Sequence, residues 1–143
     1  MNEHDDRQAL RDLVDAYARL ADRRDGAGQS ALFTPAGRVV VEAGATRQVL
    51  EGRAALAAAF EEGLRPYART THFNGQSTVA LDGDRATGET YCLAHHLWTE
   101  GAERTLMVMS IRYLDSFVRS EGRWLIAERR LIVDWVDRRP SAA

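Results

Sequence analysis

The chain has no lysine: all 19 of its basic residues are arginine. That excludes Schiff-base chemistry and a lysine general base, since both need an amine. Cysteine is almost absent too. The single one, Cys92, cannot form an intrachain disulfide and reads as a small buried hydrophobe in a reducing compartment. No apolar run approaches the ~20 residues of a membrane span, and the charged start MNEHDDRQAL has no signal-peptide pattern, so a cytoplasmic protein without membrane contact is expected. No block of like charge exists. With 21 acidic residues the formal charge is −2, which offers no surface for nucleic acid. Phosphate loops, dinucleotide fingerprints and nucleophile elbows are missing as well: GAGQS lacks the flanking strand and the lysine they require.

What remains is one domain's worth of chain. At 143 residues it can bury roughly two thirds of its unfolded surface, and residues 1–143 are taken as a single domain with a loose tail at 137–143. From a cap at Asp5 or Asp6, the steps Leu10, Leu13, Val14, Tyr17, Leu20, Ala21 mark an amphipathic helix that ends near DRRDGAG. A short helix through QSALF precedes a break at Thr34-Pro35. GRVVVEA and RQVL read as a hairpin around Gly44, and GRAALAAAFEEG as a third helix with Leu56 and Phe60 four apart. After Pro66 come four long strands: about Thr70 to Leu81, Arg85 to Trp98, Thr105 to Val118 and Trp124 to Trp135. DGD, TEGAE and RSEGR separate them. Helices first and an antiparallel meander afterwards argue for an α+β fold, with the helices covering one face of a curved sheet.

Three of the four histidines lie in the hairpin RTTHFNGQSTVALDGDRATGETYCLAHHLW. Strict alternation puts His72, Asn74, Gln76 and Thr78 on one side and Phe73, Ser77 and Val79 on the other. His72 is then either a packed core residue or a proton carrier in a pocket. His95 and His96 cannot share a face. If the small row Ala86, Gly88, Thr90, Cys92, Ala94 makes room, His96 joins it and Trp98 closes it; if Tyr91, Leu93 and Leu97 line the pocket, His95 does. Space favours His96. On the last strand, Leu125, Ala127, Arg129, Leu131 and Val133 share a face, and an arginine in such a row is costly unless paired, for example with Asp22 or Glu42. Met107 and Met109 alternate on one strand as core or cavity lining. No histidine pair has metal-ligand spacing beside a carboxylate, so no metal is expected.

The strings LVDAYARLADRRD, ALFTPAGRV, EGRAALAAAF, THFNGQ and SEGRWLIAERRLIVDW, in this order, resemble the SnoaL-like branch of the nuclear transport factor 2-like (NTF2-like) superfamily over nearly the whole chain. The resemblance implies a cone-shaped fold and is nearest the scytalone dehydratase and hexachlorocyclohexane dehydrochlorinase type. By motif it implies an aspartate and histidine pair at Asp22 and His72, an acid or substrate anchor at Tyr17, an arginine in the same cavity at Arg129, and a further histidine at His95 or His96. Helical arithmetic alone sets Asp22 roughly 140° from the centre of the apolar stripe, with Asp25 closer, whereas Tyr17 lies on the stripe.

Those residue types suit an elimination or isomerisation without a cofactor. A carboxylate and a histidine together can take a proton from an acidic C–H. Asp22 at a helix carboxyl end, desolvated, is expected to have a raised basicity. Tyr17 or Arg129 would stabilise the departing group or an enolate, with His96, His95, Trp98 and Met107 as further substrate contacts. The expected ligand is a small hydrophobic cyclic or polyketide-like molecule, bound by a homodimer or homotrimer. Rival readings are a non-catalytic binding protein and a scaffolding subunit of a larger enzyme.

Overall fold

The structure, a computed structural model, describes residues 2–142. Helix α1 spans Glu3–Asp22. Asn2, not Asp5 or Asp6, caps it by accepting from the Asp5 amide at 3.0 Å, and Glu3, Asp5 and Asp6 then oppose the positive helix end. Its buried stripe holds Leu10, Leu13, Val14, Tyr17, Ala18 and Ala21. The chain turns out of the helix at Arg24, whose φ of 61° lies in the left-handed region. Such a conformation costs a non-glycine residue about 1 kcal/mol. Asp25 then caps the short helix α2, Gly26–Ala31, by accepting from the Gly28 amide at 2.7 Å.

Strands β1 (Phe33–Ala43) and β2 (Thr46–Glu51) form the expected hairpin. Thr34-Pro35 is no break. It sits inside β1, in the irregular stretch between Phe33 and Arg38, where a missing amide donor is tolerated. Helix α3, Arg53–Leu64, runs one residue past Gly63. The meander follows as β3 (Arg69–Asp82), β4 (Arg85–Glu100), β5 (Glu103–Ser120) and β6 (Arg123–Pro140). Gly83, at φ 59°, and Asp84 make the tight β3–β4 loop. The sheet order is β2-β1-β6-β5-β4-β3, antiparallel except where β1 runs parallel to β6. Pairing of Thr105 with Pro140 keeps residues 137–140 in the sheet, against the loose tail expected from 137. Ala143, the end of that tail, lies outside the described residues.

Three bulges bend this sheet and break strict alternation. In β3, Gly75 and Gln76 oppose Tyr91 alone, so Ser77, Val79 and Leu81 turn to the same side as His72 and Asn74, while Gln76 and Thr78 face out. In β6, Ala127 is the extra residue between the pairs Ile126↔Phe117 and Glu128↔Ser116, and Asp134 is a second one. Trp124 and Ile126 therefore share the inner face with Arg129, Leu131 and Val133, which corrects the row read from the sequence. The core lies between the helices and the concave face: Leu10, Val14 and Tyr17 of α1 and Leu56 of α3 pack with Phe33, Ile111, Phe117 and Ile126 of the sheet. The outer face keeps Phe73, Leu93 and Trp135 in one cross-strand row through Ser110, with Phe73 67% and Trp135 50% exposed.

Candidate active site

One flank of α1 is laced to β3. Arg7 donates to the Val79 carbonyl, Arg11 to that of Gly75, Asn74 donates to Asp15, and His72 meets Asp22. These helix positions stand four, four and seven apart and so lie on one side, which the curled edge of the sheet reaches although it is far from the apolar stripe. That is how Asp22 reaches His72 from the flank of the helix, while itself bordering an outer cleft with Arg11, Asp15 and Arg19 and not the cavity. Asp25 is spent on capping α2 and is exposed.

The Asp22 carboxylate grips His72 twice. It accepts from the His72 backbone amide at 2.9 Å (Oδ2) and stands 2.7 Å from the ring Nδ1 (Oδ1). The Thr70 hydroxyl donates to the same Oδ1 at 3.0 Å. Since a carboxylate only accepts, Nδ1 carries the hydrogen, and Nε2 is left as the nitrogen free for a ligand. The His72 side chain is 8% exposed and that of Asp22 27%. Burial pushes the Asp22 carboxyl upward, but the hydrogen bonds from His72 and Thr70 outweigh it and hold it below the usual carboxylate range. The raised basicity expected for Asp22 is thus reversed: it is a fixed anion that orients His72 and can stabilise its imidazolium form.

His72 lines a cavity of about 480 Å³ between the helices and the concave sheet. Its wall is mostly apolar: Val39, Val41, Leu50, Phe60, Leu64, Met109, Ile111, Leu131 and Val133, with Tyr17, Gln29, Gln48, Glu62, Tyr67, His96 and Tyr113 as polar interruptions besides His72. His96 faces inward at the end of the small row, as space suggested, and its ring centroid is 6.0 Å from that of His72. Burial first, then the neighbouring His72, pushes it down to about 4, so it is neutral near pH 7. Its Nδ1 faces the Met107 carbonyl at 3.4 Å. Burial also lifts the Tyr17 phenol to about 12 and that of Tyr113 well above its ordinary value. At neutral pH both hold their protons, so each hydroxyl has a hydrogen to donate.

Four expected substrate contacts lie elsewhere. Arg129 is beneath the cavity floor, clamped by Asp115 through Nε and Nη2 at 2.8 Å each and sandwiched between the rings of Tyr17 and Tyr113 at 4.3 and 3.9 Å. Neither Asp22 nor Glu42 is its partner; Glu42 pairs with Arg130. His95 is on the outer face, against the Thr71 carbonyl. Met107 is buried below the wall, and Trp98 packs on Tyr67 beyond the cavity, with its indole N–H on Glu100. Sequence reasoning missed Thr70, Gln29, Tyr67, Tyr113 and Asp115. Asp115 had a signal: it is the lone acid in the inward row Met107, Met109, Ile111, Tyr113, Phe117. Among the described residues no group of three His, Cys, Asp or Glu side chains is placed to hold a metal ion.

The profile of the SnoaL-like domain matches residues 2–130. The chain belongs to the SnoaL-like family. A comparison with curated proteins finds no match. Among solved structures, this SnoaL-like protein is similar to a putative scytalone dehydratase from Novosphingobium aromaticivorans, at 20% identity and TM-score 0.78, covering 92% of this chain and 86% of that one. A type 2 hexachlorocyclohexane dehydrochlorinase (LinA) aligns at 18% identity and TM-score 0.80, over 96% and 90% of the two chains. A function unknown protein from Mycobacterium tuberculosis shares 24% identity at TM-score 0.77, over 100% and 78%. At these identities the likeness establishes the NTF2-like α+β fold. Among the described residues no helix is long and apolar enough to cross a membrane.

Proposed function

We propose that this SnoaL-like protein is a cofactor-independent acid–base enzyme, a dehydratase- or dehydrochlorinase-like lyase or an isomerase, acting on a small hydrophobic cyclic or polyketide-like molecule. The observation that carries this is His72 in the wall of an apolar cavity, with Asp22 behind it on the side of the outer cleft holding Nδ1, and with no partner on Nε2 among the described residues. Nε2 takes the proton from an acidic C–H, and the ionised Asp22 stabilises the imidazolium that results. In an elimination the C–H electron pair becomes the new π bond as the leaving group departs with its own pair. In an isomerisation His72 returns the proton to a different carbon. Tyr17 and Tyr113 donate hydrogen bonds to the oxygen or halide on which charge develops. Two of the similar structures are named as a dehydratase and a dehydrochlorinase, both eliminations. A plain binding protein would share the cavity but has no use for an oriented imidazole with a free nitrogen.

The test follows loss of water or halide, and double-bond migration, over a panel of small cyclic β-hydroxyketones, vicinal halides and unsaturated ketones. His72→Gln and Asp22→Asn are expected to lower turnover by about 10²- to 10⁴-fold while the far-ultraviolet circular dichroism and the melting cooperativity stay intact. Unchanged turnover in His72→Gln discards the base, and turnover of nothing in the panel by the wild type favours the binding reading.

A further inference from the structure

Arg24 sits in the left-handed backbone region, φ 61°, directly after the helix that carries Asp22. Its guanidinium reaches across to the start of β3. Nη2 donates to the Tyr67 carbonyl at 2.9 Å and Nη1 to the Thr70 hydroxyl oxygen at 3.2 Å. Thr70, 6% exposed, has one hydroxyl hydrogen, and Asp22 Oδ1 stands 3.0 Å from that oxygen. A guanidinium has donors and no acceptor. The oxygen of Thr70 therefore accepts from Arg24, and its hydrogen is left to point at Asp22.

We propose that Arg24 is a positioning residue for the Asp22–His72 pair, acting through Thr70: the one-way chain Arg24 N–H to Thr70 O–H to the Asp22 carboxylate fixes the anion that holds His72. The same side chain secures the Tyr67 segment, whose ring packs on His96 at 4.6 Å, so both histidines of the cavity are set from one joint. A left-handed arginine is the backbone conformation that delivers this reach from the residue two after Asp22. The other charged groups near the carboxylate are Arg11, Asp15 and Arg19 of α1 and Arg23 just past its end, which share the outer cleft with it, and His72 itself on β3. The side-chain hydrogen bonds of Thr70 among the described residues are with Arg24 and Asp22, not with any of these four.

The proposal rests on Asp22 and His72 being the working pair, but its test needs no substrate. The Asp22 carboxyl is titrated by carbon NMR in the full-length protein. Arg24→Gly keeps the turn, because glycine accepts a positive φ, and Thr70→Val removes the hydroxyl alone. Each is expected to raise the Asp22 midpoint, Thr70→Ser to restore the wild-type value, and the double variant to rise no further than Thr70→Val, since Arg24 works through that hydroxyl. An Arg24→Gly midpoint equal to wild type would leave Arg24 a mere tether. Shifts that add in the double variant would show a through-space charge effect, and either result overturns the chain. A negative outcome here leaves the acid–base reading untouched, and loss of that reading on His72→Gln leaves the titration as it is.

Discussion

Arg129 and Asp115 form an ion pair whose side chains are 1% and 0% exposed, in the floor of the cavity. Asp115→Ala would leave the guanidinium without its counter-charge in a site water does not reach. Nη1 already lacks a partner, so no other acceptor is at hand. Removing one member of such a pair costs about 3–5 kcal/mol, because the remaining charge stays buried. Set against a total stability of about 5–15 kcal/mol, that is a large fraction. At about 3 °C per kcal/mol for a chain of this size, the melting temperature should fall by roughly 10–15 °C. Arg129→Met should cost a comparable amount, since it strands Asp115 and strips the cation from the faces of Tyr17 and Tyr113. The double variant Arg129→Met with Asp115→Leu should recover most of the loss, as replacing both charges removes both desolvation terms. Urea unfolding followed by circular dichroism reads all three. Raising the salt concentration should change the wild-type contribution little, because ions do not screen a pair sealed from solvent. A loss below about 1 kcal/mol in Asp115→Ala would refute the reasoning, since the charge would then have found water or another partner.

His96, with a folded value of about 4 against an ordinary 6.5, takes its proton first in the unfolded chain. Its contribution is complete above about 6.5 and is lost as the pH falls toward 4, so the wild type should lose stability over that window and His96→Phe should not. Asp22 runs the other way in origin: its depressed carboxyl adds stability above its ordinary 3.8 that disappears only as the pH falls further, and Asp22→Asn should flatten that acid limb. Cys92 is buried and its thiol is pushed up to about 11, so a disulfide reagent should label it only in denaturant; rapid native labelling would contradict the packing of β4. The homodimer or homotrimer expected from the sequence would cover the outer row of Phe73, Leu93 and Trp135. Sedimentation equilibrium should then show a multimer that Trp135→Glu dissociates, and a monomeric wild type would dismiss it.

The helices and strands were legible because their periodicities are strong and their turns are marked by glycine and aspartate. The inward choice of His96 over His95 was legible too, since small residues at alternate positions mark a cavity wall whatever the fold. What strict alternation could not supply was the bulges: one extra residue at Ala127 and one at Gly75–Gln76 invert every face beyond them, and nothing at Ala127 announces itself. Helical periodicity set Asp22 off the buried stripe, and it does border the outer cleft; what periodicity could not supply is that the curled sheet also touches that flank and brings His72 to it. Motif resemblance found the residue and physical reasoning then misjudged its charge. The donors that hold Asp22 ionised are the ring and the backbone amide of His72 and the hydroxyl of Thr70, fifty and forty-eight positions away, and no local pattern brings them together.

Because each bulge switches which side chains point to the helices, the chain should respond unevenly to changes in length. Removing a residue from the exposed β5–β6 turn, Glu121 and Gly122, shortens a loop and leaves every strand face as it was. Removing Ala127 alone would force either Arg129 outward or Trp124 and Ile126 off the core, though no side chain of consequence is lost. In relatives of this chain, insertions and deletions should therefore gather at the hairpin tips and avoid residues 75–76 and 127, where an alanine matters for being counted rather than for what it touches.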